Sequence, residues 1–131
     1  METNWSRHVG TALMVIVTVL LALDAVMKIV GAQPAIVATG ELGFSAGATR
    51  MLGLVLGSAT VLYVLRVTRV LGAILLTGYL GGAVAVQAQH GSAVPTHVLF
   101  GVYVGVVLWA SIWLRSADLR LLIPVQRSFR R

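Results

Sequence analysis

Four long runs of apolar residues, separated by short polar stretches, dominate the sequence. They cover residues 9–30, 47–65, 70–88 and 93–114, and Asp24, Lys28 and Arg50 are the only Asp, Glu, Lys or Arg residues within them. A helix needs roughly 20 predominantly apolar residues to cross the hydrocarbon core of a bilayer. The pattern therefore predicts an all-α membrane fold, a bundle of four transmembrane helices.

The stretches between the runs leave no room for a separate soluble domain. Residues 66–69 and 89–92 are short enough for tight turns. The longer connection, residues 31–46, contains Pro34, which is tolerated at the start of a helix, and Gly40 and Gly43, which can end one. We predict a short interfacial segment between helices 1 and 2, and a single integral membrane domain over residues 1–131. The first run exceeds the 7–15 apolar residues of a signal peptide, so we expect it to be retained.

Composition agrees with a membrane protein and excludes several chemistries. The 131 residues are 58% hydrophobic and 11% charged, whereas soluble domains average about 45–50% and 25%. The absence of cysteine excludes disulfides, thiolate metal sites and cysteine nucleophiles. No phosphate-binding glycine loop or nucleophile motif is present, and we expect no catalysis by this chain alone. We predict no metal site. A haem would require a second histidine at the membrane depth of His97, and none is expected there, while the carboxylate and cysteine ligands of a zinc or di-iron site are lacking.

The positive charges indicate an orientation rather than a nucleic-acid partner. The net charge is +6, but the basic residues stand between and beyond the apolar runs. In a four-span protein, eight of the ten Lys and Arg residues share one side with both termini. The positive-inside rule then predicts a multi-pass protein of the inner (plasma) membrane with cytoplasmic N- and C-termini. Residues 115–131 form a basic interfacial tail, and we expect contacts with anionic lipids from Arg115, Arg120, Arg127, Arg130 and Arg131.

Glycines recur at four-residue spacing in three of the predicted helices. Helices associate in lipid through close backbone approach at small residues, because no hydrophobic force drives them together. We predict that these glycines pack the four helices into a tight bundle. The alternative is that some of them face outward and serve oligomerisation or docking against another membrane subunit. The residues are Gly53, Gly57, Gly78, Gly82, Gly101 and Gly105.

Four polar residues fall at a similar depth near the predicted outer end of the bundle. Asp24 and Lys28 are four residues apart on helix 1 and therefore share a face. Gln87 near the end of helix 3 and His97 near the start of helix 4 lie on the same side of the membrane. The sequence favours a charge-compensated pair that fixes helix rotation, and a histidine wetted by head groups. The alternative prediction is a ligand site formed by all four residues beside apolar walls, suited to a quinone head group or a bound lipid.

Three stretches resemble the DoxX-like family of small four-helix membrane proteins. They are LDAVMKIVG at residues 23–31, LGAILLTGYLGGAVA at 71–85 and HVLFGVYVGVVLWASIWLR at 97–115. The resemblance implies a compact membrane bundle, in a family in which many members have no established activity. Some relatives are subunits of thiosulfate:quinone oxidoreductases, and others join redox-protection assemblies. Asp24, Lys28 and His97 match positions that are often polar in the family. Leu56 replaces a frequent glutamate, and residues 86–89 read VQAQ where the family often has Thr-His-x-Arg.

Four functions remain open from the sequence. The leading prediction is a non-catalytic accessory or assembly subunit of a larger membrane complex, of redox or respiratory type, whose partners are other membrane subunits or a second copy. The first alternative is a quinone- or lipid-binding module. The second is the membrane subunit of a quinone-linked oxidoreductase with the redox centre on a partner. A small proton-coupled transporter is the weakest, because Asp24 is predicted to pair with Lys28.

Overall fold

The computed structural model describes residues 2–122, and these residues form helices with no strand. The all-helical prediction is confirmed. A π-helical turn, Val94–Val98, leads into the fifth α-helix. The α-helices are α1 (Glu2–Val30), α2 (Gln33–Glu41), α3 (Ala46–Val64), α4 (Arg69–Gln89), α5 (Phe100–Arg115) and α6 (Ala117–Leu122).

Four helical segments are long and apolar enough to cross a membrane, as predicted. They are Asn4–Val30, Ala46–Val64, Arg69–Gln89 and Val94–Arg115. Three of them match the predicted runs to within a residue or so, whereas the first begins five residues before residue 9. Hydropathy identifies only the segment that is apolar enough to cross a bilayer. A helix can extend beyond that segment into polar residues, so the two boundaries need not coincide.

The four long helices form an up-and-down bundle. Around its circumference, α1 packs against α3, α3 against α4, α4 against α5, and α5 against α1. Helices α1 and α4 therefore face each other across the bundle. We use "distal end" for the end at which residues 31–45 and 90–93 make the connections. The "terminal end" is the opposite one, at which α1 begins and residues 65–68 connect α3 to α4.

The outer surface of the bundle is apolar, which is the arrangement expected of helices that face lipid. Many large aliphatic side chains are more than half exposed, including Ile16, Val61 and Val106. The core between the helices is also apolar and contains Leu56, Leu76 and Leu108, each completely buried. Apolar residues on both sides leave few polar positions within the bundle.

Two of the predicted packing glycines allow close helix contacts. A Cβ added at Gly53 on α3 would lie 2.9 Å from the backbone nitrogen of Ile29 on α1. A Cβ added at Gly101 on α5 would lie 3.0 Å from the backbone oxygen of Leu80 on α4. Any larger side chain at these two positions must push the helices apart. Gly57 and Gly105 have ordinary van der Waals neighbours, 3.6 Å and 3.9 Å from an added Cβ.

Gly78 and Gly82 do not pack against another helix in this chain, contrary to the prediction for these two positions. An added Cβ at either residue meets nothing within 4 Å. Spacing alone does not tell which face of a helix meets a neighbour. Two glycines outside the predicted set make close contacts instead. Gly72 lies against the backbone of Tyr63 on α3, and Gly10 lies against the backbone of Ser111 on α5.

The predicted short segment between the first two spans is the helix α2. Pro34 lies in its first turn, and Gly43 follows its end with a φ of 87°, a conformation that side chains rarely adopt. Ser45 caps α3 by accepting a hydrogen bond from the backbone nitrogen of Ala48 at 3.2 Å. The hydroxyls of Thr39 on α2 and Thr49 on α3 lie 2.5 Å apart and are buried. This bond fixes α2 over the distal end.

Candidate functional site

The predicted pair of Asp24 and Lys28 lies in the distal half of α1. Nζ of Lys28 donates to Oδ2 of Asp24, which is the one ion pair found within residues 2–122. The Lys28 side chain is 13% exposed and that of Asp24 is 46% exposed. The stem of Lys28 lies against Gly53 on α3, where there is no side chain to displace it. The pair adds no net charge to the bundle, which lowers the cost of burying it.

Helix α4 contributes two polar side chains from the opposite side of the bundle. The ammonium of Lys28 lies 5.9 Å from the centroid of the Tyr79 ring, close enough for a cation–π interaction. Gln87 is eight residues beyond Tyr79 and so lies near the same helix face. Its Oε1 accepts a hydrogen bond from Ser92 at 2.5 Å. The connection after α4 therefore orients this amide and leaves its NH2 group for another acceptor.

The π-helical turn positions the histidine. The backbone nitrogen of Leu99 donates to the oxygen of Val94 at 3.0 Å, five residues back, which widens the turn. His97 is exposed, and its Nδ1 lies 2.8 Å from the hydroxyl of Thr96. Its Nε2 is left available for a further hydrogen bond.

These side chains line two adjoining cavities at the distal end, each about 420 Å³. We call them the α2-side cavity, bounded by α1, α2, α3 and α4, and the α5-side cavity, bounded by α1, α4, the π-helical turn and α5. All four residues of the predicted ligand site line the α5-side cavity. The two cavities share one wall, formed by Asp24, Lys28, Tyr79, Ala83 and Gln87.

Apart from Thr39 and His97, the remaining walls are apolar, and small residues shape them. Gly78 and Gly82 line the α2-side cavity, which explains why an added Cβ meets nothing at either position. Phe44 and Thr39 close that cavity from the side of α2. On the other side, the α5-side cavity is lined by Leu20, Leu21, Leu23, Met27 and Phe100.

The arrangement suits recognition of an amphipathic molecule. Pockets of 300–1,000 Å³ with apolar walls and a few convergent polar groups are typical small-molecule sites. Lys28 and Gln87 offer hydrogen-bond donors, Asp24 offers an acceptor, and His97 offers either, depending on its tautomer. Within residues 2–122 no group of three or more His, Asp or Glu side chains is placed to hold a metal ion.

A family model described as the DoxX-like family matches residues 12–111. This is more than half of the chain. The chain belongs to the DoxX-like family. No curated protein and no solved structure matches it. The match includes α2, α3 and α4 in full and most of α1 and α5, so all the residues of the shared wall fall within it.

Leu56, the position at which the resemblance led us to expect a glutamate, lies inside the bundle of this DoxX-like chain. It is completely buried in the apolar core. A charge there would need a partner in the core, where burial of an unpaired charge is costly. The charged pair of this chain lies instead at the wall of the distal cavities, where it is joined by Tyr79, Gln87 and His97.

A second feature of this DoxX-like chain is an apolar groove between α4 and α5. Its volume is about 500 Å³, and its floor includes Gly81, Gly101 and Gly105. Nothing lies within 4 Å of a Cβ added at Gly81. At the terminal end of the groove, Nε1 of Trp109 donates to the hydroxyl of Thr77 at 2.8 Å and ties the two helices together.

Two of the five arginines predicted to contact anionic lipids, Arg115 and Arg120, lie within the described residues. Arg115 is half-buried at the end of α5. Arg120 on α6 donates to the backbone oxygens of Trp113 at 3.0 Å and Leu114 at 2.7 Å, and its guanidinium lies 5.8 Å from the Trp113 ring. Arg120 therefore caps the C-terminal end of α5. Arg127, Arg130 and Arg131 lie outside the described residues.

Tyr79 lines both cavities but was not among the four residues of the predicted ligand site. A signal was present, because residues eight apart on a helix share a face and Gln87 was already a candidate. The cavity-lining residues of α2 carried no such signal. Their position depends on how residues 31–45 fold back over the bundle, which hydropathy does not reveal.

Proposed function

We propose that this DoxX-like membrane protein binds one lipid-soluble molecule, a quinone or a lipid, in its distal cavities. The observation that carries the proposal is the shared wall, where Asp24, Lys28, Tyr79 and Gln87 meet between two apolar cavities. Its polar groups can hold a carbonyl, hydroxyl or phosphate head, while the flanking cavities accept apolar parts. The binding module was an alternative in the sequence analysis, and the geometry favours it over the accessory subunit.

The experiment measures bound quinone and lipid per protein after purification in a mild detergent and solvent extraction. Gln87→Leu and His97→Leu each remove one polar group of the α5-side cavity. The chain provides matched controls: Gln89→Leu and His90→Leu make the same changes at exposed residues that line neither cavity. We expect loss of the bound molecule in the first two variants and full retention in the two controls.

The proposal fails if the unmodified protein carries no stoichiometric lipid-soluble molecule. It also fails if all four variants retain the molecule equally. Circular dichroism of each variant distinguishes loss of the site from loss of the fold, because the bundle is helical throughout the described residues.

An accessory or assembly role in a larger membrane complex, of redox or respiratory type, is the second candidate function. The groove between α4 and α5 favours it, because small residues on an exposed apolar face permit close approach of another helix. Gly101 is unsuitable for a test, since its substitution would separate α4 from α5. Gly81→Leu fills the groove without that clash. We expect Gly81→Leu, and not Gly82→Leu, to release co-purifying subunits; retention of the same subunits by both variants would contradict this role.

We also infer that the protein lies in the inner membrane with both termini in the cytoplasm. The support is the concentration of arginine at the terminal end, where Arg7, Arg66, Arg69, Arg115 and Arg120 lie. The distal cavities would then lie in the outer half of the bilayer. In that position a quinone or lipid could enter sideways from the outer leaflet.

A further inference from the structure

Three half-buried arginines at the terminal end of the bundle have no acidic partner among residues 2–122. One of them, Arg120 on α6, donates to the backbone oxygens of Trp113 and Leu114. The other two are Arg69, in the first turn of α4, and Arg115, in the last turn of α5. The single ion pair of the described part of the chain is at the distal end. Arg69 and Arg115 also differ from Arg7 and Arg66, which lie at the same end but are exposed.

The side chain of Arg115 is held in place, but its hydrogen-bonding capacity is barely used. Its stem crosses α1 at Gly10, where an added Cβ would come within 2.8 Å of its Cγ. Its Nη1 donates to the sulfur of Met14 at 2.7 Å. A thioether is a weak acceptor, whereas a guanidinium has five N–H donors. The remaining donors of Arg115 are available to an external acceptor.

The donors of Arg69 are similarly under-used, and a chain of contacts connects Arg69 to the turn of α5 that carries Arg115. Nε and Nη2 of Arg69 donate to the backbone oxygens of Tyr63 and Val64 over long distances, 3.4 Å and 3.3 Å. The Tyr63 hydroxyl lies 2.6 Å from Oγ of Ser111, which links α3 to α5. Ser111 is four residues before Arg115 and therefore lies on the same face of α5.

We propose that Arg69 and Arg115 form a binding site for the phosphate group of an anionic phospholipid. A counter-charge would stabilise two half-buried like charges, and guanidinium groups bind phosphate through paired hydrogen bonds. A lipid is the source that the surroundings favour. Val67 is 97% exposed and Val70 and Leu71 are about half exposed, so apolar side chains beside the site meet the acyl chains. The site is independent of the distal cavities.

The experiment is a lipid titration of the purified full-length protein, followed by native mass spectrometry. The probes are phosphatidylglycerol, phosphatidylcholine and inorganic phosphate. Arg69→Gln/Arg115→Gln removes the site, and Arg7→Gln/Arg66→Gln removes the same charge from exposed positions at the same end. We expect the first pair to weaken phosphatidylglycerol binding about tenfold or more, and the second by no more than about twofold.

Equal weakening by the two double variants would overturn the proposal, because diffuse attraction would then explain the binding. Equal affinity for phosphatidylcholine, or competition by inorganic phosphate at the same concentration, would also overturn it. If Arg69→Gln/Arg115→Gln does not fold, Arg69→Lys/Arg115→Lys keeps the charge and removes the forked donors. We expect it to lose affinity several-fold relative to Arg7→Lys/Arg66→Lys, and unchanged affinity would contradict the site.

Discussion

At the scale of single residues, the chemistry of this chain depends on a few polar side chains in an apolar background. Asp24, Lys28, Gln87 and His97 could be selected from the sequence because polar groups within membrane spans are costly and therefore stand out. Tyr79 could not be selected as easily, because an aromatic residue is common in such helices. Its role depends on its position across the bundle from Lys28, which is a tertiary property.

The glycines provide a prediction that separates packing positions from cavity positions. Gly101→Ala places a methyl group 2.8 Å from Cγ2 of Val84 and 3.0 Å from the oxygen of Leu80, so we expect it to lower the free energy of unfolding by about 1–3 kcal/mol. Gly82→Ala meets no atom and replaces glycine within a helix, so we expect it to be neutral or stabilising by up to about 1 kcal/mol. Unfolding titrations in mixed detergent measure both, and equal destabilisation by the two changes would contradict the packing described.

The ion pair provides a second prediction at this scale. Lys28→Met removes the cation and leaves the Asp24 carboxylate without its partner at the cavity wall. We expect a loss of about 2 kcal/mol in the free energy of unfolding. Asp24→Asn/Lys28→Met removes both charges and should recover most of that loss. If the double variant were less stable than Lys28→Met, the charge of Asp24 would not be compensated by Lys28.

At the scale of elements, hydropathy predicted the four membrane spans but did not predict the contacts between them. The three later spans were predicted almost to the residue because their ends coincide with polar turns. The prediction that Gly78 and Gly82 pack against another helix was wrong, because four-residue spacing defines a stripe on a helix without indicating what the stripe faces. The α2 helix was predicted from Pro34 and Gly43, but its position over a cavity was not.

The bond between Thr39 and Thr49 predicts how firmly α2 is held. Thr39→Val removes a buried hydrogen bond between α2 and α3, while Thr49 keeps its bond to the backbone oxygen of Ser45 at 3.1 Å. We expect faster amide hydrogen exchange across α2 and a loss of roughly 0.5–1.5 kcal/mol. Ser58→Ala is the control, because the Ser58 hydroxyl is exposed and bonds only within its own helix. Equal exchange of α2 in the two variants would contradict the anchoring role.

At the scale of the whole molecule, the bundle has two chemically different ends. The distal end contains a neutral ion pair, an amide and a histidine around cavities, with Arg50 as its one arginine among residues 2–122. The terminal end carries five arginines that have no acidic partner within the same residues. The orientation that follows from this asymmetry is testable with fusions. Alkaline phosphatase inserted at Gly91 should be active, and a fluorescent protein fused after Arg131 should fluoresce. An inactive phosphatase at Gly91 would reverse the orientation and place the cavities in the inner half of the bilayer.

The most direct test of the central claim is the native mass of the intact protein released from membranes in a mild detergent. Gly82→Leu fills the α2-side cavity beside the shared wall, and Gly81→Leu makes the same change one residue earlier, in the groove. We expect one lipid-soluble molecule to be bound to the unmodified protein and to Gly81→Leu, and none to be bound to Gly82→Leu. The claim is contradicted if the unmodified protein is empty, or if Gly82→Leu retains the same molecule at the same stoichiometry.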